Sequence, residues 1–308
     1  MTSFAALGDS ITLGVGDPVR PARLAGPARL AGPAGAAGPA VLTGQSPGRG
    51  WRGWAALLAE GLNEPGLHIL AVNGACMADV ERDQLPRALQ LRPDIASVVA
   101  GVNDTLRGNF DPDRYAAAAG HTVGALRAAG AEVLTMRLPD PGRMLGVPGV
   151  LARPLARRAR QLNLVMDTVA ERFGTLHFDA AGDAETYDPR MWAADRLHPS
   201  ERGHRLIARR YHGLLAAAGY QVGTPPDAEP TSRPPTRLAE LTWLATKGTA
   251  RVLRRSTDLV PGLLAMAVTE WRSGRGHGLR PDGDTDWHPG PGHDPRPDAD
   301  LAGERWPG

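Results

Sequence analysis

The sequence predicts an α/β domain with a parallel sheet that is covered by helices on both faces. Two observations support this prediction. Five short apolar runs of strand length occur between residues 3 and 179. Stretches with helical spacing of apolar residues separate these runs, and a last one ends near residue 218. Strands that alternate with helices form parallel sheets, because each crossover helix packs back onto the sheet.

The strand predictions rest on apolar runs bounded by polar residues or glycine. The first run, SFAAL, is followed directly by Gly8, and the second, LHILAV, by Asn73 and Gly74. The third, DIASVVA, precedes Gly101. The five predicted strands cover residues 3–7, 67–72, 94–100, 131–136 and 175–179.

The helix predictions rest on apolar residues that recur every three or four positions. In WRGWAALLAEGL, for example, Trp54, Leu57, Leu58 and Leu62 form one stripe. The predicted helices cover residues 51–62, 78–91, 112–129, 151–173 and 200–218, and Ser200 is the predicted N-cap of the last.

Residues 18–49 interrupt this pattern and consist almost entirely of Pro, Ala, Gly, Arg and Leu. The hexapeptide PARLAG occurs there twice in tandem, at 21–26 and 27–32. Such a density of proline excludes a regular helix or a central strand. We expect an insertion that forms either a surface loop or a flap over the mouth of the site described below.

We expect the α/β domain to cover residues 1–220. A Pro-rich linker at 221–235 then leads to a helical, amphipathic extension at 236–275. The composition of 276–308, rich in Pro, Gly and Asp, predicts a disordered tail. Three roles are open for 236–272: packing on the domain, lying on an anionic membrane surface, or contacting a protein partner.

Composition limits the class of protein. The chain has 308 residues, of which 42% are hydrophobic, and its net charge of +2 argues against a dedicated nucleic-acid binder. Cys76 is the only cysteine, which excludes an intrachain disulfide and a cysteine metal cluster. The N-terminal sequence MTSFAALGDS lacks the pattern of a signal peptide, and no apolar run has the length of a membrane span. We therefore expect a cytoplasmic protein.

Chemically reactive side chains follow three of the predicted strands and precede the last helix. Ser10 follows the first strand in GDSIT, Gly74 follows the second, and Asn103 follows the third in GVND. Asp195 and His198 lie in DRLH, directly before the last helix. Because the carboxyl ends of parallel strands meet at one edge of a sheet, we expect these residues to converge.

This set of groups suits acyl transfer by a serine nucleophile. His198 would remove the proton of Ser10, whose hydroxyl we expect to be exposed, and Asp195 would orient the imidazole. Because Asp195 and His198 are only three residues apart, a bent loop must bring the carboxylate onto the ring. The backbone N–H groups of Ser10 and Gly74 and the side-chain amide of Asn103 are the available oxyanion donors.

The four motifs GDSIT, VNGA, GVND and DRLH, in this order over residues 8–198, resemble those of the SGNH hydrolases, also called GDSL-type lipases and esterases. The resemblance implies a flavodoxin-like, three-layer α/β/α fold with a central five-stranded parallel sheet. It also implies the roles given above for the five residues, and an ester or amide substrate. The stretch DPRMWAADRLHPSERGH further resembles a subgroup of small actinobacterial cytoplasmic hydrolases.

We therefore expect a serine esterase that acts on a small-molecule carboxylic ester, preferably with a small acyl group, and needs no cofactor. No GxGxxG follows a strand, and no His/Asp/Glu spacing indicates a metal site. An acyltransferase with the same catalytic residues is one alternative. An inactive scaffold that acts through its C-terminal extension is another.

Other polar residues in these motifs are expected to be structural. Asp9 should point away from Ser10, and Asp104 should cap a helix rather than take part in catalysis. The remaining histidines are expected to be exposed or packed side chains rather than metal ligands; they include His121, His177, His204 and His212.

Overall fold

The computed structural model describes residues 2–18, 50–63, 66–145 and 149–231. These residues form a parallel five-stranded sheet with the strand order β2-β1-β3-β4-β5. The strands are β1 (Ser3–Gly8), β2 (Gly66–Ile69), β3 (Ile95–Val99), β4 (Glu132–Arg137) and β5 (Leu176–Asp179). The predicted three-layer α/β/α class with a five-stranded parallel sheet is confirmed.

The central strand shows why the apolar runs predicted the sheet correctly. All five residues of β3 are buried, as expected for a strand with helices on both faces. The second run differs from its prediction at 67–72, because β2 ends at Ile69. The N–H groups of Leu70 and Ala71 both donate to the carbonyl of Ala6, which interrupts the ladder although both side chains stay buried.

The helices lie where apolar periodicity predicted them, within a few residues at each end. Those named here are α1 (Ser10–Leu13), α2 (Gly53–Gly61), α3 (Met77–Asp79), α4 (Leu85–Leu91), α5 (Val102–Leu106), α6 (Pro112–Ala128), α7 (Pro141–Leu145), α8 (Gly149–Phe173) and α9 (Glu201–Ala217). A π-helical segment, Val80–Gln84, joins α3 to α4. The short helices α1, α5 and α7 lie outside the predicted ranges.

Two groups of helices cover the sheet. Helix α2 packs against α9, and the ring centroid of Trp54 in α2 lies 6.3 Å from that of Phe4 in β1 and 5.1 Å from that of Tyr211 in α9. Helix α6 packs against both α4 and α8. Trp54, Leu57 and Leu58 are almost completely buried, as their common stripe predicted.

The segment after α9 returns along the surface of the domain. The N–H of Gly223 donates to the carbonyl of Gly61, and Arg205 of α9 donates to the carbonyl of Asp227. Thr231 donates to the carboxylate of Glu201. These contacts place residues 223–231 against α2 and α9.

Most of the predicted insertion at 18–49, the end of the linker, the extension at 236–275 and the tail at 276–308 lie outside the described residues. Within the described part of the chain, no helix combines the length and the apolar character needed to cross a membrane.

Candidate active site

Ser10 lies at the turn between β1 and α1. Gly8 has φ +148°, and a Cβ there would lie 2.1 Å from the carbonyl oxygen of Val99, so only glycine fits this turn. Asp9 is the N-cap of α1, and its carboxylate accepts the N–H of Ile11 at 2.9 Å. Ser10 is the first residue of α1 and is only 5% exposed, so the expected exposure of its hydroxyl is wrong. The hydroxyl is covered because His198 packs against it.

His198 lies 188 residues after Ser10 in the chain, and the fold brings the two side chains into contact. The distance between His198 Nε2 and Ser10 Oγ is 2.9 Å, and both residues are buried. His198 precedes Pro199 on the loop before α9, whose N-cap is Ser200 as predicted. The contact has the geometry of a serine hydroxyl hydrogen-bonded to its general base.

Asp195 approaches the other ring nitrogen of His198 from within the same loop. Its Oδ2 lies 2.6 Å from His198 Nδ1, while its Oδ1 accepts the N–H groups of Leu197 and His198 at 3.0 and 3.1 Å. Arg196 has φ +54°, a left-handed conformation that closes the bend. A carboxylate on Nδ1 holds the proton there, so Nε2 accepts the hydroxyl of Ser10.

The charge state of Asp195 fits this arrangement. Burial raises the pKa of the Asp195 carboxyl, but its hydrogen bonds to the His198 ring and to the N–H groups of Leu197 and His198 outweigh burial. The pKa therefore lies below its usual value, and the carboxylate is ionised at neutral pH.

Asn103 follows β3 and lies in the same cleft as Ser10. Its side-chain Nδ2 donates to the carbonyl of Ala75 at 3.0 Å and to Oδ2 of Asp9 at 3.3 Å. Gly74 precedes Ala75 in the turn after β2 and has φ +84°. The hydrogen bond to Ala75 thus ties the turn that contains Gly74 to the strand end that carries Asn103.

A small cleft lies over the Ser10 hydroxyl, with a volume of about 20 Å³. Polar residues of the predicted site and apolar residues of α1, α5 and the His198 loop share its surface. Its lining consists of Asp9, Ser10, Ile11, Val102, Asn103, Leu106, Leu197 and His198.

A sequence model of the GDSL-like lipase/acylhydrolase family matches residues 6–206, and this range contains every residue of the cleft. The chain belongs to the GDSL-like lipase/acylhydrolase family. The resemblance read from its four motifs is therefore confirmed. The finer resemblance to actinobacterial cytoplasmic hydrolases stays a prediction.

One curated relative of this GDSL-like protein is an arylesterase of Vibrio mimicus, 30% identical over 94 residues. The match covers 29% of this chain and 46% of the arylesterase, so the chain matches about half the length of that relative.

Solved structures share the fold. An acetylxylan esterase of Geobacillus stearothermophilus is 21% identical with a TM-score of 0.50, covering 71% of this chain and 95% of that one. A lipase/acylhydrolase of Enterococcus faecalis is 17% identical with a TM-score of 0.50, covering 74% of this chain and all of that one. At these identities the likeness shows a common fold.

Asp104 caps a helix, as expected, but the helix is not the one that contains Asp104. Both of its carboxylate oxygens accept the N–H of Met77, at 3.2 and 3.3 Å, so it caps α3 rather than its own helix. Burial raises the pKa of Asp104 to about 6, against the lowering effect of these hydrogen bonds. Together with Asn103, it fastens the segment after β2 to the end of β3.

The structure adds two residues to those that the motifs indicated. Asp9 borders the cleft and contacts Asn103, a contact that no spacing in the sequence could show. His204 is a packed side chain as expected, but both of its ring nitrogens are hydrogen-bonded to backbone groups around the site. Within the four described ranges, no group of three His, Cys, Asp or Glu side chains is arranged to hold a metal ion.

Proposed function

We propose that this protein hydrolyses carboxylic esters with small acyl groups through an acyl-enzyme on Ser10. The observation that carries the proposal is the continuous hydrogen-bonded chain from Asp195 through His198 to Ser10, with distances of 2.6 and 2.9 Å. Family membership and the name of the Vibrio mimicus arylesterase both support an ester substrate.

The first step follows from the protonation states in this chain. His198 Nε2 accepts the Ser10 proton while Oγ attacks the ester carbonyl carbon, which forms a tetrahedral oxyanion. The ionised carboxylate of Asp195 stabilises the imidazolium that results. The imidazolium then protonates the departing alcohol, and the acyl group remains on Ser10.

The second step reverses these roles with water. His198 accepts a proton from water, whose oxygen attacks the acyl carbon, and the imidazolium returns the proton to Ser10 Oγ as the acid leaves. The N–H of Ser10 at the start of α1, the N–H of Gly74 and the amide of Asn103 are the donors that we assign to the oxyanion.

The size of the cleft supports a small acyl group. A volume of about 20 Å³ is close to the space that one water molecule needs. Its walls at Ile11, Val102 and Leu106 belong to the helices α1 and α5 and narrow the cleft beside Ser10, which supports a short acyl group over a long one.

The proposal is tested with p-nitrophenyl esters of graded chain length, with Ser10→Ala as the matched control. We expect turnover to be highest for acetate and to fall with chain length. We expect Ser10→Ala to abolish turnover and labelling by a fluorophosphonate probe while its circular dichroism stays unchanged. Equal labelling of the wild type and the variant, or undiminished turnover by the variant, would refute the role of Ser10.

The alternative of an acyltransferase differs only in the acceptor of the acyl group. A labelled alcohol added during turnover separates the two reactions. A hydrolase releases mostly free acid, whereas a transferase forms the acylated alcohol in preference to acid.

A further inference from the structure

Two chain segments, residues 14–18 and 50–54, meet beside the candidate active site; we call them the neck. A Cβ added to Gly14 would lie 2.8 Å from the Cα of Gly53, so the two backbones are in direct contact. The neck therefore has a fixed position on the domain, set by residues on both sides of the range 19–49.

Asp17 closes the neck through both its backbone and its side chain. The N–H of Arg52 donates to the carbonyl of Asp17 at 3.0 Å, and the N–H of Gly53 donates to its Oδ2 at 3.2 Å. Pro18 and Trp51 form an isolated antiparallel bridge just beyond.

The first half of the neck packs against the loop that carries His198. Gly16 has φ +109°, and a Cβ there would lie 2.0 Å from the carbonyl oxygen of Pro199 and 3.5 Å from the Cβ of His198. Any movement of Gly16 therefore changes the space available to the backbone that directly follows His198.

His204 joins the two halves of the neck. It lies in the first turn of α9, completely buried, six residues after His198. Its Nδ1 accepts the N–H of Trp54 at 3.3 Å, and its Nε2 lies 3.1 Å from the carbonyl oxygen of Val15. These partners require one neutral tautomer, in which Nδ1 accepts and Nε2 donates.

We propose that His204 is a positioning residue for His198. By donating to the Val15 carbonyl it holds Gly16 against Pro199, and this contact keeps His198 Nε2 within hydrogen-bond distance of Ser10 Oγ. The inference rests on the proposed function, in which His198 is the general base.

The two hydrogen bonds of His204 have different consequences under this proposal. Val15 precedes Gly16, so the bond from Nε2 acts directly on the segment that contacts the His198 loop. Trp54 belongs to α2, and its N–H bond holds the other half of the neck. The bond to Val15 should therefore matter more for catalysis than the bond to Trp54.

A pair of variants separates the two bonds. In His204→Gln the side-chain amide N–H can take the place of Nε2–H and keep the bond to Val15. In His204→Asn the side-chain oxygen can take the place of Nδ1 and keep the bond to Trp54. His212→Asn is the matched control, because His212 is also buried in α9 but bonds to the carbonyl of Gly223, away from the site.

The measurements are kcat and KM for p-nitrophenyl acetate, together with the NMR signal of the His198 Nδ1 proton in its hydrogen bond to Asp195. We expect His204→Asn to lower kcat about 100-fold with little change in KM, since small misplacements of reacting groups have costs of this order. The NMR signal should shift or broaden in the same variant. We expect His204→Gln to stay within about threefold of the wild type, and His212→Asn to leave kcat and the signal unchanged.

Equal losses in the Gln and Asn variants, or an unchanged His198 signal in His204→Asn, would overturn the proposal. If His204→Asn does not fold, Gly16→Ala tests the same contact from the other side, because its Cβ must displace Pro199. We then expect the same loss of kcat and the same change in the NMR signal. If kcat and the signal of Gly16→Ala both equal those of the wild type, the contact between Gly16 and Pro199 does not position His198. The NMR readout needs no substrate, so a wild type without esterase activity would refute the proposed function while the position of His198 is still measured.

Discussion

Replacing His204 by asparagine should change how the stability of this protein depends on pH. Burial is the main reason that the pKa of His204 is lowered from 6.5 to about 4; the hydrogen bond to the Val15 carbonyl raises this pKa, and the neighbouring His198 makes a smaller lowering contribution. Between pH 4 and pH 6.5 the His204 side chain is protonated in the unfolded chain but not in the folded protein. The free energy of unfolding therefore falls as the pH decreases from 6.5 to 4.

The size of this effect follows from the shift. Each pKa unit corresponds to about 1.4 kcal/mol, so His204 alone should remove about 3 kcal/mol of stability between pH 7 and pH 4. Asp104 acts in the opposite direction, because its pKa in the folded protein is raised to about 6 from 3.8. The folded state binds the extra proton there, which should add about 2 kcal/mol over the same range.

The assay is urea denaturation followed by circular dichroism at pH 7, 6, 5 and 4, on the wild type, His204→Asn and Asp104→Asn. Subtracting the free energy of unfolding of each variant from that of the wild type removes the contributions of groups that both proteins contain, such as Asp17 and Asp195. We expect the wild-type advantage over His204→Asn to shrink by about 3 kcal/mol as the pH falls from 7 to 4. The advantage over Asp104→Asn should instead grow by about 2 kcal/mol.

Parallel pH curves for the wild type and His204→Asn would show that the imidazole titrates in the folded protein much as it does in the unfolded chain. The reasoning from burial would then be refuted. A stability advantage of the wild type over His204→Asn that grew toward low pH would refute the predicted direction of the effect.

Three further predictions concern the site and the neck. Asn103→Ala should lower kcat about 100-fold or more for a small ester, because one oxyanion donor is lost; an unchanged kcat would contradict that role. Asp195→Asn should lower kcat about 1,000-fold or more by favouring the wrong tautomer of His198, which steady-state kinetics at neutral pH would show. Deleting residues 21–46 should leave the circular dichroism and the melting temperature nearly unchanged, because the bonds of Asp17 to Arg52 and Gly53 lie outside the deletion; a large fall in melting temperature would contradict this.

Apolar runs predicted the sheet because they report burial, and burial also explains where they failed. Residues 70–72 continue the apolar run of β2 but leave the ladder, since Leu70 and Ala71 share the single carbonyl of Ala6. The pattern of side chains shows which residues are buried, but it does not show which backbone groups pair. The π-helical segment at Val80–Gln84 escaped prediction for a similar reason, because its side chains follow a helical pattern whatever the backbone hydrogen bonds are.

The placement of Ser10 and Asn103 in one cleft was predictable from the ends of the strands. Ser10 and Asn103 each follow a buried strand, and parallel strands place their carboxyl ends at one edge. The bend that brings Asp195 back to His198 followed from their spacing alone. The contacts of His204 with Val15 and Trp54 could not be predicted, because they depend on how three separate segments cross.

The hydrogen bonds of Asn103 hold its side-chain amide in place for the oxyanion role that we propose. The amide nitrogen has two protons and donates to the Ala75 carbonyl and to the Asp9 carboxylate. The bond to Ala75 is the shorter one and fixes the amide relative to the turn at Gly74. Under the role that we propose for Asn103, an oxyanion in the cleft replaces Asp9 as an acceptor while the bond to Ala75 remains. Asp9 still accepts the N–H of Ile11, so this exchange leaves its carboxylate hydrogen-bonded and the start of α1 capped.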